Sequence, residues 1–316
     1  MLSFILGLSG SLFLLSHGYA ADTPLRASPA DTGKVSGRGS IVTLAMGYDD
    51  LLQYNATLLQ RNRSIRDHLY TCNQLVNDKC TAAVADVIIF HEGNIIQSHQ
   101  DYIQLATPEM PINFINVSSV FQQFHHVSNP LCPPSYISSL KYTSAGYHSM
   151  CYFWFMGFIQ YVEEYDWMLR IDSDCILMGE SRNAVNNLHN LKVNFSATSW
   201  LSLDREKYDT ISDKKEGPVV RGLKNLTQSF AIKHGITRQF KTWKAPYSNV
   251  MYIDLKHLRN SVIIAQYMEV VNASGCIYGN RWGDLPLWGA AIRLNGQPTT
   301  KLNLKYYHGS HNIKVE

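Results

Sequence analysis

Asp172 and Asp174 stand one residue apart, directly after the apolar run Trp167-Met-Leu-Arg-Ile171. Two carboxylates spaced in this way at one strand end can bind a hard divalent cation through carboxylate oxygen and water. A cation held there can neutralise a departing diphosphate and stabilise the negative charge that develops as a C–O bond breaks. The pattern is short enough to arise by chance, and a solvated turn after a strand uses the same residues. Hydrolysis between sugars needs two carboxyls roughly 5 to 10 Å apart across the bond. Two residues of one strand end, sharing one ion, fit that task poorly.

The pair needs elements to present it. Ser40-Ile-Val-Thr-Leu-Ala-Met46 reads as a strand, and Asp49 as the N-cap of a helix carrying Leu51, Leu52, Leu58 and Leu59. The pattern repeats with a strand at Asp86–Phe90 and a helix from Asn94 to Leu105, then a third strand at Ile112–Val117. Alternating strands and helices predict an α/β fold, a mainly parallel sheet flanked by helices. Tyr147 to Tyr165 is apolar but too short and too interrupted to span a membrane, and reads as a buried helix. It leads into the strand Trp167–Ile171, whose carboxyl end carries the two aspartates, where open α/β sheets place their ligands. Ser248–Leu255 reads as a further strand, with Asp254 capping a helix to Val271. A last helix begins at Pro286 with Asp284 in its N-cap region. The polar tail from Lys301 must fold back for His308 and His311 to matter.

The chain has 316 residues, 45% hydrophobic and 17% charged, enough for one large globular core. Residues 1–21 read as a signal peptide or a short signal anchor, residues 22–39 as a stem or linker, and residues 40–316 as one domain. Six Asn-x-Ser/Thr sequons begin at Asn55, Asn62, Asn116, Asn194, Asn225 and Asn272, consistent with the lumen of the secretory pathway, Golgi or secreted. Of six cysteines, Cys72 and Cys80 are spaced to close a short loop, while Cys151 and Cys175 lie in apolar segments as buried free thiols would. A net charge of +3 without a dense basic run argues against nucleic acid as partner. A membrane becomes a partner only if the N-terminal segment is retained as an anchor.

Four blocks carry a family resemblance. Tyr165-Asp-Trp-Met-Leu-Arg-Ile-Asp-Ser-Asp174 resembles the Tyr-x-Trp-x-x-Arg-Val-Glu-Pro-Asp segment of the fungal α-1,2-mannosyltransferases, the Kre2/Mnt1-type enzymes of glycosyltransferase family 15. Tyr147-His-Ser-Met-Cys-Tyr-Phe153 resembles their Tyr-x-x-Met-Cys-Arg-Phe, and Asn280-Arg-Trp-Gly-Asp-Leu-Pro286 their Glu-Arg-Trp-Gly-Asp-Ala-Pro. Tyr306-Tyr-His-Gly309 resembles their Tyr-Tyr-His-Ser. The match runs from about Ser40 to Gly309 and is strong in the second half, as in a divergent relative. It implies a GT-A fold, a Rossmann-like sheet with an acceptor-binding C-terminal half. It also implies a nucleotide-sugar donor, GDP-mannose, a manganese ion, a glycan or glycoprotein acceptor, and transfer of mannose with retention. Carried across, Asp172, Asp174 and His308 serve the metal, and Tyr147, Arg170 and Asp172 the donor. Arg281, Trp282 and Asp284 face the acceptor, with Asp284 a candidate for catalytic assistance. The residues also admit a structural role, with Trp282 in the core and Asp284 capping the last helix.

The departures from the family pattern carry weight too. Where the family has an acid in Asn-Phe-Glu-Ile, this chain has Asn249-Val-Met-Tyr252, and Met251 can act neither as nucleophile nor as base. Two routes then stand open: assistance by Asp284, or front-face attack with the leaving phosphate as base. The family's Met-Cys-Arg is Met-Cys-Tyr152 here, which removes a cation suited to phosphate. A catalytically inactive carbohydrate- or nucleotide-sugar-binding relative is the alternative these losses support.

Overall fold

The computed structural model describes residues 38–45, 51–70, 84–108, 110–122, 145–178, 193–204, 220, 222–237, 242–280, 282–296 and 299–308. Strands β1 (Gly39–Ala45), β2 (Val84–His91) and β3 (Ile112–Asn116) are the expected apolar runs and lie parallel, side by side. Helices Leu51–Ile65 and Gln97–Ala106 occupy the two connections, as parallel neighbours require. Strand β4 (Trp167–Ile171) then pairs with the other edge of β1, also parallel. The direction of sheet growth reverses between β1 and β4, so a ligand crevice is expected outside the carboxyl ends of these two strands.

The described residues form seven further strands: β5 (Cys175–Met178), β6 (Phe195–Ala197), β7 (Trp200–Asp204), β8 (Thr242–Pro246), β9 (Val250–Asp254), β10 (Thr300–Lys301) and β11 (Lys305–His308). The main sheet has the order β10-β6-β9-β4-β1-β2-β3, with β9 antiparallel to both β4 and β6. Two antiparallel ribbons, β5 with β11 and β7 with β8, stand beside it. Alternation along the strands divides the core into a cluster on each face of the sheet. In β4, Trp167, Leu169 and Ile171 join one cluster and Met168 the other; Arg170 shares the side of Met168.

Three elements depart from the sequence expectation. The apolar stretch after Tyr147 is not one regular helix: helix Ala145–Tyr152 opens into a π-helical turn, Phe153–Gly157, then a 3₁₀ turn, Ile159–Tyr161. Bulky rings drive the change, since Phe155 and Phe158 meet the indole of Trp288, whose Nε1 donates to the Trp154 carbonyl at 2.9 Å. The helix expected from Leu255 to Val271 divides at Ser261 into Leu255–Asn260 and Val262–Ser274. Asp254 caps the first piece as expected, and the Ser261 hydroxyl caps the second by accepting from the Ile264 N–H at 3.3 Å. The last helix is Asp284–Asn295 with Gly283 at its N-cap, so Asp284 is not the cap.

The expected stem boundary also moves. Gly39 already belongs to β1, and the Arg38 guanidinium is paired with Asp86 at 2.8 Å and Glu164 at 2.7 Å. The signal and the rest of the stem, the Asp49 cap, His311 and the Cys72–Cys80 pair lie outside the described residues. Cys151 and Cys175 are buried free thiols, and Cys276 is disulfide-bonded. Of the sequons, Asn62 is fully buried, whereas Asn116, Asn225 and Asn272 are exposed. No helix among the described residues is long and apolar enough to cross a membrane.

Helix Asp284–Asn295 rests directly on β8 at Gly289, where an added Cβ would meet the Ala245 Cβ at 2.8 Å and its Cα at 2.9 Å. Backbone on the far side cannot yield cheaply. Gly289→Ala is therefore expected to cost about 1–3 kcal/mol of stability, despite alanine's better helix propensity. Denaturant unfolding of the variant against the parent chain measures it.

Candidate functional site

Arg170 organises the carboxyl end of β4. Its side chain is turned away from the Trp167 face and lies over the Trp154 ring, 4.3 Å from the centroid, inside the π-helical turn. From there Nε donates to Asp172 Oδ1 at 2.9 Å and Nη1 donates to Asp284 Oδ2 at 2.5 Å. One guanidinium thus joins the strand end, the start of the last helix and the aromatic turn. Arg170 and Asp284 are buried, with side chains 5% and 9% exposed, so this pair is largely withdrawn from water.

Burial governs the protonation of these groups. It pushes the Asp172 carboxyl up to about 6; Arg170 opposes that rise, and Asp284 and Asp174 add to it. Burial acts to lower the Arg170 guanidinium, but Asp172 and Asp284 outweigh it and hold the group above its ordinary value. Cys151 lies against Asp284, and burial first, then that carboxylate, push its thiol up to about 12. Its sulfur also interacts with the side chain of Tyr147, which is half-buried on helix Ala145–Tyr152.

Asp174 points to a different partner. The tail folds back as β11, and the antiparallel register sets His308 opposite Cys175. His308 Nε2 then lies 3.2 Å from Asp174 Oδ2 and 2.7 Å from Asn249 Nδ2. Asn249 also ties down the strand end, its carbonyl accepting from the Asp172 N–H at 2.8 Å. The ligand atoms of Asp174, Cys175 and His308 all lie within 4.8 Å of one another. Carboxylate, imidazole and thiol together suit a transition metal better than calcium. The structure brings Asp174 and His308 together and engages one Asp172 oxygen with Arg170.

The remaining expected residues are distributed as follows. Trp282 is 1% exposed and belongs to the apolar core, the structural role that the sequence also admitted. Asp284 directs its carboxylate to Arg170 instead of capping its helix. Arg281 lies outside the described residues. Met251 is 1% exposed and faces Arg170 across the β4–β9 register, so an apolar side chain occupies that wall. Tyr152 is half-buried with its ring 6.2 Å from that of Tyr278, and burial raises its hydroxyl pKa. Trp154 and Asn249 are site residues that the sequence does not announce. Trp154 reads as core, and Asn249, in the turn before β9, meets His308 on β11 by a side-chain contact between distant segments that no local motif reveals.

No family model and no curated protein matches the sequence. Solved structures do. The chain is similar to the mannosyltransferase Ktr4p from S. cerevisiae, with a TM-score of 0.62 at 14% identity over 85% of this chain and 70% of that one. The same enzyme in complex with GDP gives a TM-score of 0.64 at the same identity and coverage. Core-mannan synthase A from Aspergillus fumigatus, in its Mn/GDP form, gives 0.63 at 14% identity over 89% of this chain and 76% of that one. The fold is thus the GT-A type that the sequence resemblance implied, a mainly parallel sheet flanked by helices.

The buried Arg170 makes its partners structural as well as chemical. Asp284→Ala leaves the guanidinium with one fewer carboxylate and is expected to cost about 3–5 kcal/mol, whereas Arg170→Met with Asp284→Leu is expected to cost less than that single change. Urea unfolding of the single and double variants tests the ordering.

Proposed function

We propose that the chain is a metal-dependent glycosyltransferase that moves a hexose, mannose from GDP-mannose, onto a glycan or glycoprotein acceptor with retention of configuration. The observation that carries this reading is the meeting of Asp174 and His308 at 3.2 Å, at the carboxyl end of β4 beside the switch in sheet direction. A metal with nucleotide is named for the Aspergillus fumigatus enzyme of the same fold. The side chains present fit such an ion, because carboxylate oxygen and imidazole nitrogen are ligands for manganese. When bound, the ion supplies positive charge to the diphosphate as it leaves.

The chain's own residues do the rest. Asp174 and His308 hold the ion, and Asp172 completes its carboxylate surroundings while Arg170 fixes the Asp172 rotamer. Asp284 steadies Arg170 from behind. Tyr147 lies along the donor, and Arg281, Trp282 and Asp284 build the acceptor side, Trp282 from within the core. With Met251 apolar and the Asp284 carboxylate engaged, the acceptor proton passes to the departing phosphate in a front-face reaction.

Met251 also favours a second reading, a relative that binds nucleotide sugar without turning it over. The two separate on incubating the full chain with GDP-mannose and other nucleotide sugars, with and without manganese, before a broad acceptor panel. Manganese-dependent turnover of one donor, with metal affinity reduced roughly a hundredfold in Asp174→Ala and His308→Ala, is the expected result. Metal-dependent donor binding without turnover establishes the second reading.

The location we infer is the secretory lumen, the Golgi, with residues 1–21 as signal peptide or short anchor and a stem that ends before Arg38 and Gly39, which belong to the folded domain. The sequons and the disulfide-bonded Cys276 support an oxidising compartment. Glycopeptide mapping of the chain from a eukaryotic host is expected to find glycan at the exposed Asn225 and Asn272 and none at the buried Asn62. Glycan at Asn62, or at none of the sequons, would contradict it.

A further inference from the structure

We propose that Cys175 is a third protein ligand of the cation site, so that the site prefers thiophilic divalent metals of the zinc and cobalt type over manganese. The inference rests on the reading that Asp174 and His308 hold a cation. It adds the sulfur, and with it a metal class.

Three observations carry it. In the β5–β11 ribbon Cys175 and His308 are directly opposite, and opposite residues of an antiparallel pair project to the same face. Thiol and imidazole therefore belong to one side of the ribbon, with Asp174 one residue ahead. The Cys175 Sγ, an Asp174 oxygen and a His308 nitrogen lie within 4.8 Å of one another, and small side-chain rotations bring such atoms to the roughly 2.0–2.3 Å bonds of a tetrahedral ion. The three also differ in exposure in a useful way. Cys175 is fully buried beneath the site, Asp174 is 16% exposed and His308 37% exposed. An ion enters past His308 and meets sulfur on its inner side, where the neighbouring Leu177 and Tyr306 pack against the apolar cluster and exclude water.

A buried cysteine in an apolar strand often does no more than fill space, and valine would fill it as well. What distinguishes Cys175 is a position in contact range of two other ligands of transition-metal type. Binding of the ion forms one sulfur–metal bond and releases the thiol proton to solvent, with no change of oxidation state. Softer, polarisable sulfur raises affinity for zinc and cobalt, whereas manganese gains little from it.

The test uses cobalt(II) alone with the chelator-treated full chain, following near-ultraviolet absorption and calorimetric binding together. A thiolate-to-cobalt charge-transfer band is expected in the parent chain. In Cys175→Val the band is lost, cobalt still binds, and the cobalt-to-manganese affinity ratio falls about tenfold or more. Binding that Asp174→Ala abolishes, without a charge-transfer band and with Cys175→Val indistinguishable from the parent, overturns the sulfur ligand and leaves the cation site standing. No binding by the parent beyond that of Asp174→Ala overturns both. Cys175→Ala, read in the same way, keeps the test open if Cys175→Val fails to fold, and Cys151→Ala is expected to retain the band, which assigns it to Cys175.

Discussion

A guanidinium buried between two carboxylates is the constraint around which this molecule is arranged. Arg170 reaches Asp172 just past the end of its own strand and Asp284 on the last helix while lying on the Trp154 ring. Each contact belongs to a different element, so strand, helix and aromatic turn must arrive together or the charge is left in an apolar interior without compensation. Arg170 cannot be deprotonated to relieve that cost, which makes the arrangement close to all-or-none. Asp172 and Asp174 follow this anchored strand directly, and the Asp172 backbone is tied at both its N–H, to Asn249, and its carbonyl, to Cys175.

The rest of the site is imposed from the other side by β9. Running antiparallel between β4 and β6, it sets Met251 opposite Arg170 and delivers Asn249 to both the Asp172 backbone and His308. The tail then adds β11 to β5, bringing His308 to Asp174. The two aspartates serve two different partners although only Ser173 separates them in sequence. Asp172 is drawn inward to Arg170 and Asp174 outward to His308. That division sets one carboxylate against the buried Arg170 and the other beside the more exposed His308, and burial is what raises the Asp172 carboxyl pKa.

The Asp174–His308 pair and the wall at Met251 differ in the chemistry they offer. Asp174 and His308 have the chemistry of an ion site, while Met251 offers no acid or base. A transferase that uses its leaving phosphate as base needs the first and not the second. A binding relative would need the first as well, which is why turnover, and not metal binding, distinguishes them.

Much of this was legible in the sequence because it depends on local pattern. Apolar runs marked β1, β2, β3, β4 and β9, and the blocks around Tyr147, Asp172, Asp284 and His308 pointed to the GT-A fold. Capping by Asp254 followed from residue type and spacing alone. Contacts at long sequence distance were not legible in this way. That Asp284 would turn to Arg170 and leave its helix N-cap to Gly283 depends on a buried charge finding its partner. The π-helical turn at Phe153–Gly157 depends on packing against Trp288, and the break at Ser261 on a hydroxyl that competes for the backbone. The meeting of His308 with Cys175 depends on strand register, and its meeting with Asn249 on the approach of the tail to the turn before β9. Residue types and periodicity determined which groups were available and which elements would form; only the tertiary structure decided which groups meet, because register and burial energies act between segments that the sequence keeps apart.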